Sequence, residues 1–436
     1  MLNKKILLIF FFAFVIRLIV LNQSLWLDEA VTANVVRNFR FSQIVSGFSP
    51  TDFHPPLYYL FMKLWTNVFG YSEIALRMPS VIFSLLTGYV VYLIAGIWGA
   101  VLFLFNPLIV YYSQEARMYM MTTFLLTVAL YYFLKNKNVI LFNLFIFLSL
   151  LTFYGSIFLI TAFLVFYLYK KQYRNLFICL LVVFVYFLTI SPLLYQQFIN
   201  SKIALNNVLN WSAVLGKANI KNLLLIPIKF SIGRISFYPK WLYWGIAGGW
   251  TGFVLFSIKT VLNKTVFIKT VLYLLIFPLI LGFLVSFFAP MLQYFRFLYL
   301  VPIVCILLGF GLSGQAKINR RGYVLVGGFL IFSLTYLLFP QFHREDWKSL
   351  VKNLPKNKPI YMIEASSDPV KYYDNKLTIK ELRMTDYGLK EKEIVVIPYI
   401  VDIYGYDYKK KLKEKGYLLN KTNSFRGLFF EEWKSP

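Results

Sequence analysis

Two adjacent carboxylates, Asp28 and Glu29, stand in the motif Trp26-Leu27-Asp28-Glu29-Ala30, directly after the first long apolar run of the chain. A carboxylate at the boundary of a membrane can act as the general base that deprotonates an alcohol acceptor. Neighbouring residues of a helix diverge by about 100°, so we expect only one of the two to face a given cavity. The structural alternative is that Asp28 is the N-cap of a helix that begins near Glu29, since aspartate is favoured there.

His54 precedes the pair Pro55-Pro56, which suggests a site for an anion. Proline is favoured in the first turn of a helix, so His54 is predicted to lie beside a helix N-terminus. The free N–H groups and partial positive charge of such an end bind phosphate and other anions, and a histidine there can donate to them. The alternative is an interfacial histidine that only solvates a turn.

Glu115 and Arg117 lie in the polar stretch 113–117, between two apolar runs. Residues two apart on a helix point to different sides, so the two side chains are predicted to meet different partners. Ionisable residues this close to a bilayer are candidates for function. Arg117 could instead extend its charge to the lipid headgroups, as long basic side chains do.

Three more polar residues lie in or beside apolar runs, and a fourth, Arg344, follows the last run. Arg296 begins one run, and Arg17 lies four residues from the end of the first. Either arginine could clamp a phosphate bidentately or reach to the headgroups, and the second is favoured for Arg17. Tyr154, at a predicted turn between two spans, is a substrate-binding candidate, with a place in the aromatic belt of the membrane as its alternative. Arg344 opens a segment predicted to start a helix, with acidic residues in its first turn.

These residues are set in a chain with the composition of an integral membrane protein. Of its 436 residues, 59% are apolar and 15% are charged, against about 45–50% and about 25% in soluble domains. The net charge of +26 could suggest nucleic acid. That partner requires a charged, solvated surface, so no nucleic-acid partner is predicted. Two cysteines in apolar runs and two histidines exclude a disulfide framework and a multi-histidine metal site.

Apolar runs of the length that spans a membrane are predicted at 5–21, 79–95, 98–112, 118–134, 139–153, 154–169, 175–194, 241–258, 270–289, 296–313 and 322–339. With the N-terminus inside, the cytoplasmic segments are the N-terminus itself and 135–138, 170–174, 259–269 and 314–321. They carry thirteen basic residues and no acidic one. An excess of lysine and arginine inside is the usual orientation signal. All 19 acidic residues then lie on the outer face.

The predicted fold class is therefore a polytopic α-helical membrane protein of about eleven transmembrane helices, residues 1–340, with a small extracytoplasmic α/β domain, residues 341–436. The outer loop 22–78 is predicted to contain interfacial helices over 29–40 and 56–69, and the outer loop 195–240 is basic and free of acid. In the C-terminal domain, helices are predicted at 346–353, 367–374 and 407–415, and strands at 359–363, 393–398 and in a final pair.

Four motifs in this order carry a resemblance to a known family. They are Leu27-Asp28-Glu29-Ala30, His54-Pro55-Pro56-Leu57-Tyr58-Tyr59, Arg77-Met78-Pro79-Ser80 and Ser113-Gln114-Glu115-Ala116-Arg117-Met118-Tyr119. Together they resemble the membrane glycosyltransferases of the fold-C type, in particular the dolichyl-phosphate-mannose protein mannosyltransferases and lipid A aminoarabinose transferases. Arg296 and Glu345-Asp346-Trp347 are similar to features of bacterial and archaeal members. The resemblance is strong over 1–120 and weak over 121–350.

The resemblance implies an inverting transferase in the cytoplasmic (inner) membrane that takes a hexose or pentose from a polyprenyl phosphate at the outer face. Asp28 matches the catalytic base, and Glu29 would shape the pocket. His54, Glu115 and Arg117 match positions that bind donor phosphate and sugar, and Arg296 is similar to an arginine near the lipid phosphate. Some relatives carry lysine near the position of His54. Family members differ in their dependence on a divalent metal, for which this sequence shows no obvious ligand cage.

Two other functions remain open from the sequence. A transporter or flippase of lipid-linked saccharides would be expected to show inverted repeats and polar sites at mid-membrane, whereas no repeat is visible and the ionisable groups gather at one face. A polysaccharide ligase or polymerase with a pyrophosphate-linked donor would suit the acid-free basic loop 195–240. The acceptor is left open as a protein, a lipid or a glycan.

Overall fold

The structure is a computed structural model that describes residues 4–259, 265–313, 320–383, 389 and 391–435. Of the predicted cytoplasmic connections 259–269 and 314–321, residues 260–264 and 314–319 lie outside this range. Helices account for most of the chain up to Leu338. They are Lys4–Leu18, Leu27–Asn38, Phe41–Gln43, Ile44–Phe48, Leu57–Phe69, Glu73–Leu104, Pro107–Ser113, Tyr119–Leu134, Val139–Thr152, Tyr154–Ser156, Ile157–Tyr169, Tyr173–Asn207, Trp211–Leu215, Ile220–Ile232, Lys240–Lys259, Val266–Val285, Tyr294–Leu300, Val301–Leu312 and Arg320–Leu338.

The chain is a multi-pass helical membrane protein. Five helical segments in the described ranges are long and apolar enough to cross a bilayer: Glu73–Leu104, Tyr173–Asn207, Val266–Val285, Tyr294–Leu312 and Arg320–Leu338. Three shorter apolar helices lie at Tyr119–Leu134, Val139–Thr152 and Tyr154–Tyr169. Helices therefore occupy most of the predicted spans, while the number of eleven crossings stays a prediction.

The predicted span 98–112 is wrong, because the chain bends once just before it, at Gly96, and once within it, at Asn106. The helix Glu73–Leu104 kinks at Gly96, whose φ of +71° is favourable only for glycine. A new helix then starts at Pro107, where the Asn106 side chain accepts hydrogen bonds from the N–H groups of Leu108 and Ile109. The predicted loop 195–240 is also largely helical, since Tyr173–Asn207 continues into it and Ile220–Ile232 follows.

The helix Glu73–Leu104 is central to the bundle and packs against Val301–Leu312 and Tyr119–Leu134. Its approach to Val301–Leu312 depends on two small residues. A Cβ atom added at Gly309 would lie 2.8 Å from the backbone of Gly99. Such small-residue contacts let membrane helices come close enough for extensive van der Waals packing, which replaces the hydrophobic drive available in water.

Two helices between Lys4–Leu18 and Glu73–Leu104 lie close to the bounds predicted for interfacial helices, and their location at the membrane surface stays a prediction. Leu27–Asn38 was expected over 29–40, and Leu57–Phe69 over 56–69. They pack on each other, and the Lys63 ammonium donates to the carbonyl of Val36 across the contact. The first of these helices carries Asp28 and Glu29, and His54 lies just before the second.

The C-terminal unit, residues 347–435, contains a five-stranded mixed sheet in the order β2-β1-β3-β5-β4 within the described residues. The strands are β1 Ile360–Met362, β2 Ile379–Glu381, β3 Glu393–Ile397, β4 Leu418–Phe425 and β5 Leu428–Lys434. Strand β1 is parallel to β2 and β3, and β5 is antiparallel to β3 and β4. The helices are Trp347–Lys352, Asp368–Tyr373, Val401–Tyr404 and Tyr408–Glu414. The prediction missed β2 and Val401–Tyr404, which are too short to show a periodic pattern.

The C-terminal unit packs against the loops that precede the helices Leu27–Asn38 and Glu73–Leu104. The Tyr372 hydroxyl donates to the carbonyl of Tyr71 at 2.8 Å, and the Lys348 ammonium pairs with Glu73 at 3.0 Å. The Asn34 amide donates to the Asp368 carboxylate at 2.8 Å. The C-terminal unit is therefore fixed against the segments that carry the sequence motifs.

Candidate active site

Glu29 and Arg77 form a buried ion pair at the centre of this region. Their side chains are 1% and 0% exposed, and the guanidinium donates to both carboxylate oxygens, at 2.8 Å and 2.6 Å. One oxygen also accepts the N–H of Ala116 at 2.7 Å. The remaining guanidinium donors bind the carbonyls of Leu21, Gln23 and Ser24. With its hydrogen bonds satisfied by protein groups, Glu29 joins three chain segments, and its role as a substrate-binding residue stays a prediction.

Asp28 points the other way, as the divergence of adjacent helical residues predicts. Its side chain is 37% exposed, and one carboxylate oxygen lies 3.7 Å from a guanidinium nitrogen of Arg117. The N-cap of the helix Leu27–Asn38 is Trp26, so the alternative of Asp28 as N-cap is wrong. Asp28 is thus an accessible carboxylate held beside a fixed cation.

Arg117 links Asp28 to the helix Leu57–Phe69. Its side chain is buried, and one guanidinium nitrogen donates to the Tyr59 hydroxyl at 3.2 Å and to the Asp28 carbonyl at 3.4 Å. Burial acts to lower the pKa of Arg117, but Tyr59 and Asp28 raise it well above its ordinary value. The side chain is therefore a permanent cation next to Asp28. It does not reach outward to lipid headgroups.

Glu115 meets a different partner from Arg117, as the two-residue spacing predicts. Its carboxylate accepts a hydrogen bond of 2.5 Å from Arg344 of the C-terminal part of the chain. The Arg344 guanidinium also lies 3.9 Å from the ring centre of Trp26. Burial raises the pKa of Glu115, and the positive charge of Arg344 opposes that rise. The sequence pattern marked Arg344 only as a helix start, and nothing in it pointed to this contact.

His54 pairs with Asp52 in the segment that precedes the helix Leu57–Phe69. The imidazole Nδ1 is 3.2 Å from an Asp52 carboxylate oxygen, and the ring stacks on Phe153. It precedes the helix Leu57–Phe69, close to the helix start that the proline pair predicts. A histidine oriented by a carboxylate through one nitrogen can present the other to an anion.

The segment that carries His54 is fastened to the long helix Tyr173–Asn207. The Gln197 amide donates to the carbonyls of Ser49 and His54, at 2.7 Å and 3.2 Å. The Tyr154 hydroxyl in turn donates to the Gln197 side-chain oxygen at 2.6 Å. Tyr154 therefore acts on this segment through Gln197. Its role as a substrate-binding residue stays a prediction.

Acidification is expected to loosen the segment 49–56. Burial acts to raise the pKa of Asp52, but the charges of His54 and Arg117 lower it below its unfolded value of 3.8. A depressed folded-state pKa contributes stability above pH 3.8 that is lost as the pH falls through the lower, folded-state value. Hydrogen–deuterium exchange of peptides from this segment, corrected for intrinsic rates, should rise below about pH 4. The Asp52→Asn variant should lack this pH response, and an equal response in both proteins would contradict the assignment.

The two remaining arginine candidates differ in their surroundings. Arg296 is partly buried, near Tyr119 and Phe295, whose rings lie 5.5 Å apart, and donates weakly to the carbonyl of Pro290 at 3.4 Å. Arg17 is fully buried and donates to Ser84 and to the carbonyls of Ala13 and Leu104. The preference for Arg17 as a headgroup-reaching residue is wrong, because backbone carbonyls inside the bundle satisfy its guanidinium.

A second basic group, formed by Lys229, Arg234 and Lys240, lies at the end of the helix Ile220–Ile232. Arg234 donates to the Tyr111 hydroxyl at 2.8 Å, and Lys229 donates to that of Tyr243 at 3.1 Å. None of the three pairs with a carboxylate in the part of the chain that the structure describes. Burial, then Arg234 and Lys240, lower the pKa of Lys229 to about 8. Such uncompensated positive charge suits the binding of an anion. In the sequence, only the lack of acidic residues in 195–240 indicated this basic group.

The carboxylates of this region do not form a metal site. Across the described ranges, with their gaps at 260–264, 314–319, 384–388 and 390, no cluster of three or more histidine, cysteine, aspartate or glutamate side chains could hold a metal ion. The nearest acids are each engaged with arginine, Asp28 with Arg117, Glu29 with Arg77 and Glu115 with Arg344.

Comparisons with known proteins agree with the architecture. No family model and no curated protein matches the sequence. The structure matches two crystal structures of ArnT from Cupriavidus metallidurans, each 12% identical over 98% of this chain. The TM-score is 0.61 for the apo state, over 97% of that chain, and 0.60 for the protein bound to undecaprenyl phosphate, over 98%. The chain therefore has the fold of these ArnT structures, in agreement with the fold that the resemblance of its sequence motifs implies.

Proposed function

We propose that this protein is an inverting glycosyltransferase that moves a sugar from a polyprenyl phosphate to an acceptor hydroxyl. The observation that carries the proposal is the accessible Asp28 carboxylate, 3.7 Å from the buried Arg117 guanidinium. A base and a fixed cation side by side are what transfer from a lipid phosphate requires. The fold supports the same conclusion, since a protein with this fold has been solved with undecaprenyl phosphate bound.

In the proposed reaction Asp28 accepts the proton of the acceptor hydroxyl as its oxygen attacks the anomeric carbon. The bond between that carbon and the phosphate oxygen breaks on the opposite face, which inverts the anomeric configuration. The electron pair leaves with the polyprenyl phosphate. Arg117, with Arg296 and His54 at the same end of the bundle, stabilises the charge that develops on the departing phosphate. Fixed cations aimed at developing charge are often the largest contribution to catalysis.

We further propose that the site opens on the outer face of the cytoplasmic membrane and that residues 341–436 lie outside. The arrangement of basic residues in the short connections supports this orientation. The contacts of the C-terminal unit with the loops before Leu27–Asn38 and Glu73–Leu104 support a location of the unit and the site on the same side. The sugar, hexose or pentose, and the acceptor are not specified by these contacts.

Purified protein is expected to release polyprenyl monophosphate when it is given a synthetic polyprenyl-phosphate sugar and a membrane extract as acceptor. The lipid product is measured by mass spectrometry, and the acceptor is then identified from the glycans that a deletion strain lacks. Inversion is tested by the anomeric configuration of the product. A retained configuration would contradict direct displacement.

The basic group Lys229, Arg234 and Lys240 favours a second candidate, a ligase or polymerase whose donor is linked through a pyrophosphate. Three cations without a carboxylate could accommodate the second phosphate. Release of a polyprenyl pyrophosphate would support this candidate in place of the first. Translocation of the lipid-linked sugar without bond cleavage would instead favour a flippase.

A further inference from the structure

Trp26, Arg344 and Glu115 form a continuous set of contacts between the C-terminal part of the chain and the helical bundle. The Arg344 guanidinium lies over the Trp26 ring at 3.9 Å from its centre and donates to Glu115 at 2.5 Å. The side chains of Arg344 and Glu115 are 12% and 4% exposed. Arg344 is held in turn by its backbone, since its carbonyl accepts the side-chain N–H of Arg426 at 2.8 Å.

Each of these three residues keeps one buried polar atom without a hydrogen-bond partner among the described residues. The atoms are the indole Nε1 of Trp26, the Nε of Arg344 and the Oε1 of Glu115. Proteins rarely leave buried polar atoms unpaired, and a cluster of them needs an explanation. The other carboxylate oxygen of Glu115 is hydrogen-bonded to a terminal guanidinium nitrogen of Arg344. Poor packing of the whole cluster therefore does not account for the unpaired atoms.

We propose that Trp26, Arg344 and Glu115 form the subsite that binds the sugar hydroxyls of the lipid-linked donor. Two N–H donors and one carboxylate acceptor match sugar hydroxyls, which both donate and accept. A phosphate would not suit this position, because its oxygens only accept and would meet the Glu115 carboxylate. The inference rests on the proposed transfer from a polyprenyl-phosphate sugar and names the part of the site that recognises the sugar.

The position of the subsite follows from the chain itself. Trp26 is two residues before Asp28, and Glu115 is two residues before Arg117. The proposed base and phosphate-binding arginine thus border the sugar subsite, and the C-terminal part of the chain forms one of its walls.

The test compares the binding of two probes to the full-length protein in detergent. One is decaprenyl phosphate, and the other is the same lipid carrying mannose, galactose, glucose or arabinose. Wild-type protein should bind at least one sugar-bearing lipid about tenfold more tightly than the bare lipid. Trp26→Phe, which removes the indole N–H but keeps an aromatic ring, and Arg344→Lys, which keeps the charge, should each reduce this ratio about three- to tenfold. The affinity for bare decaprenyl phosphate should stay within about twofold.

Lys348→Met is the matched control, because it breaks the exposed docking ion pair with Glu73 without touching the subsite. It should leave the ratio unchanged. If bare decaprenyl phosphate does not bind to wild-type protein, the proposed function fails and this inference with it. If the bare lipid binds, the subsite alone is overturned when no sugar improves binding, when the two variants leave the ratio unchanged, or when they weaken both probes equally.

Discussion

Asp28→Asn is expected to lower the rate of sugar transfer by about 10²–10⁴-fold, the usual contribution of a general base. The amide has nearly the same shape as the carboxylate but cannot accept the proton of the acceptor hydroxyl. Asp28 is 37% exposed and contacts Arg117 only at 3.7 Å. At 3.7 Å the two groups share no direct hydrogen bond, and Arg117 keeps its contacts with the Tyr59 hydroxyl and the Asp28 carbonyl, so the variant should fold and insert as the wild type does.

The measurement is the initial rate of polyprenyl phosphate release, at saturating donor and acceptor, by protein that elutes as a single species in detergent. Glu73→Gln is a suitable control, because it makes the same chemical change on the same side of the bundle, at a residue that pairs with Lys348. It should keep most of the activity. Full activity of Asp28→Asn would remove Asp28 from the mechanism, and loss of activity in both variants would indicate a general effect of charge.

The helices of this fold were predictable from the sequence because apolar runs in a membrane have few alternatives to helix. Interruptions within those runs were not. Gly96 and Asn106 bend the chain inside what reads as continuous apolar sequence. A glycine in an apolar run is compatible with a straight helix, and only the packing of its neighbours decides that it takes a positive φ. The polar continuation of Tyr173–Asn207 was missed for the opposite reason, because loss of apolar residues does not end a helix.

The candidate site was predictable to the extent that its residues are close in sequence. The opposed directions of Asp28 and Glu29, and the separate partners of Glu115 and Arg117, follow from helical geometry and short spacing. The identity of the partners does not. Arg344 is 229 positions from Glu115, and no local pattern reports a contact made only by the folded chain. For the same reason the motif could not show which of the two adjacent carboxylates is structural.

Glu29→Gln is expected to reduce the free energy of unfolding by about 3–5 kcal/mol, because it leaves the Arg77 charge buried without its counter-charge. The Glu29 side chain is 1% exposed, and Arg77 is 0% exposed. Their contact also organises the carbonyls of Leu21, Gln23 and Ser24 and the N–H of Ala116. Thermal unfolding in detergent, followed by tryptophan fluorescence, should show a large fall in Tm and a smaller monodisperse fraction.

A double-mutant cycle separates this structural role from the substrate-binding role that the resemblance implies for Glu29. Arg77→Met alone should also be strongly destabilising, and the double variant should lose less stability than the sum of the two single variants, since it buries no unpaired charge. Lys348→Met, which removes an ion pair whose lysine is 58% exposed, should change the free energy of unfolding by at most about 1 kcal/mol. A Glu29→Gln protein with the Tm of the wild type and no transfer activity would place Glu29 among the substrate-binding residues instead. If Glu29 acted only through the stability of the fold, its substitution would lower the Tm whenever it lowered the activity.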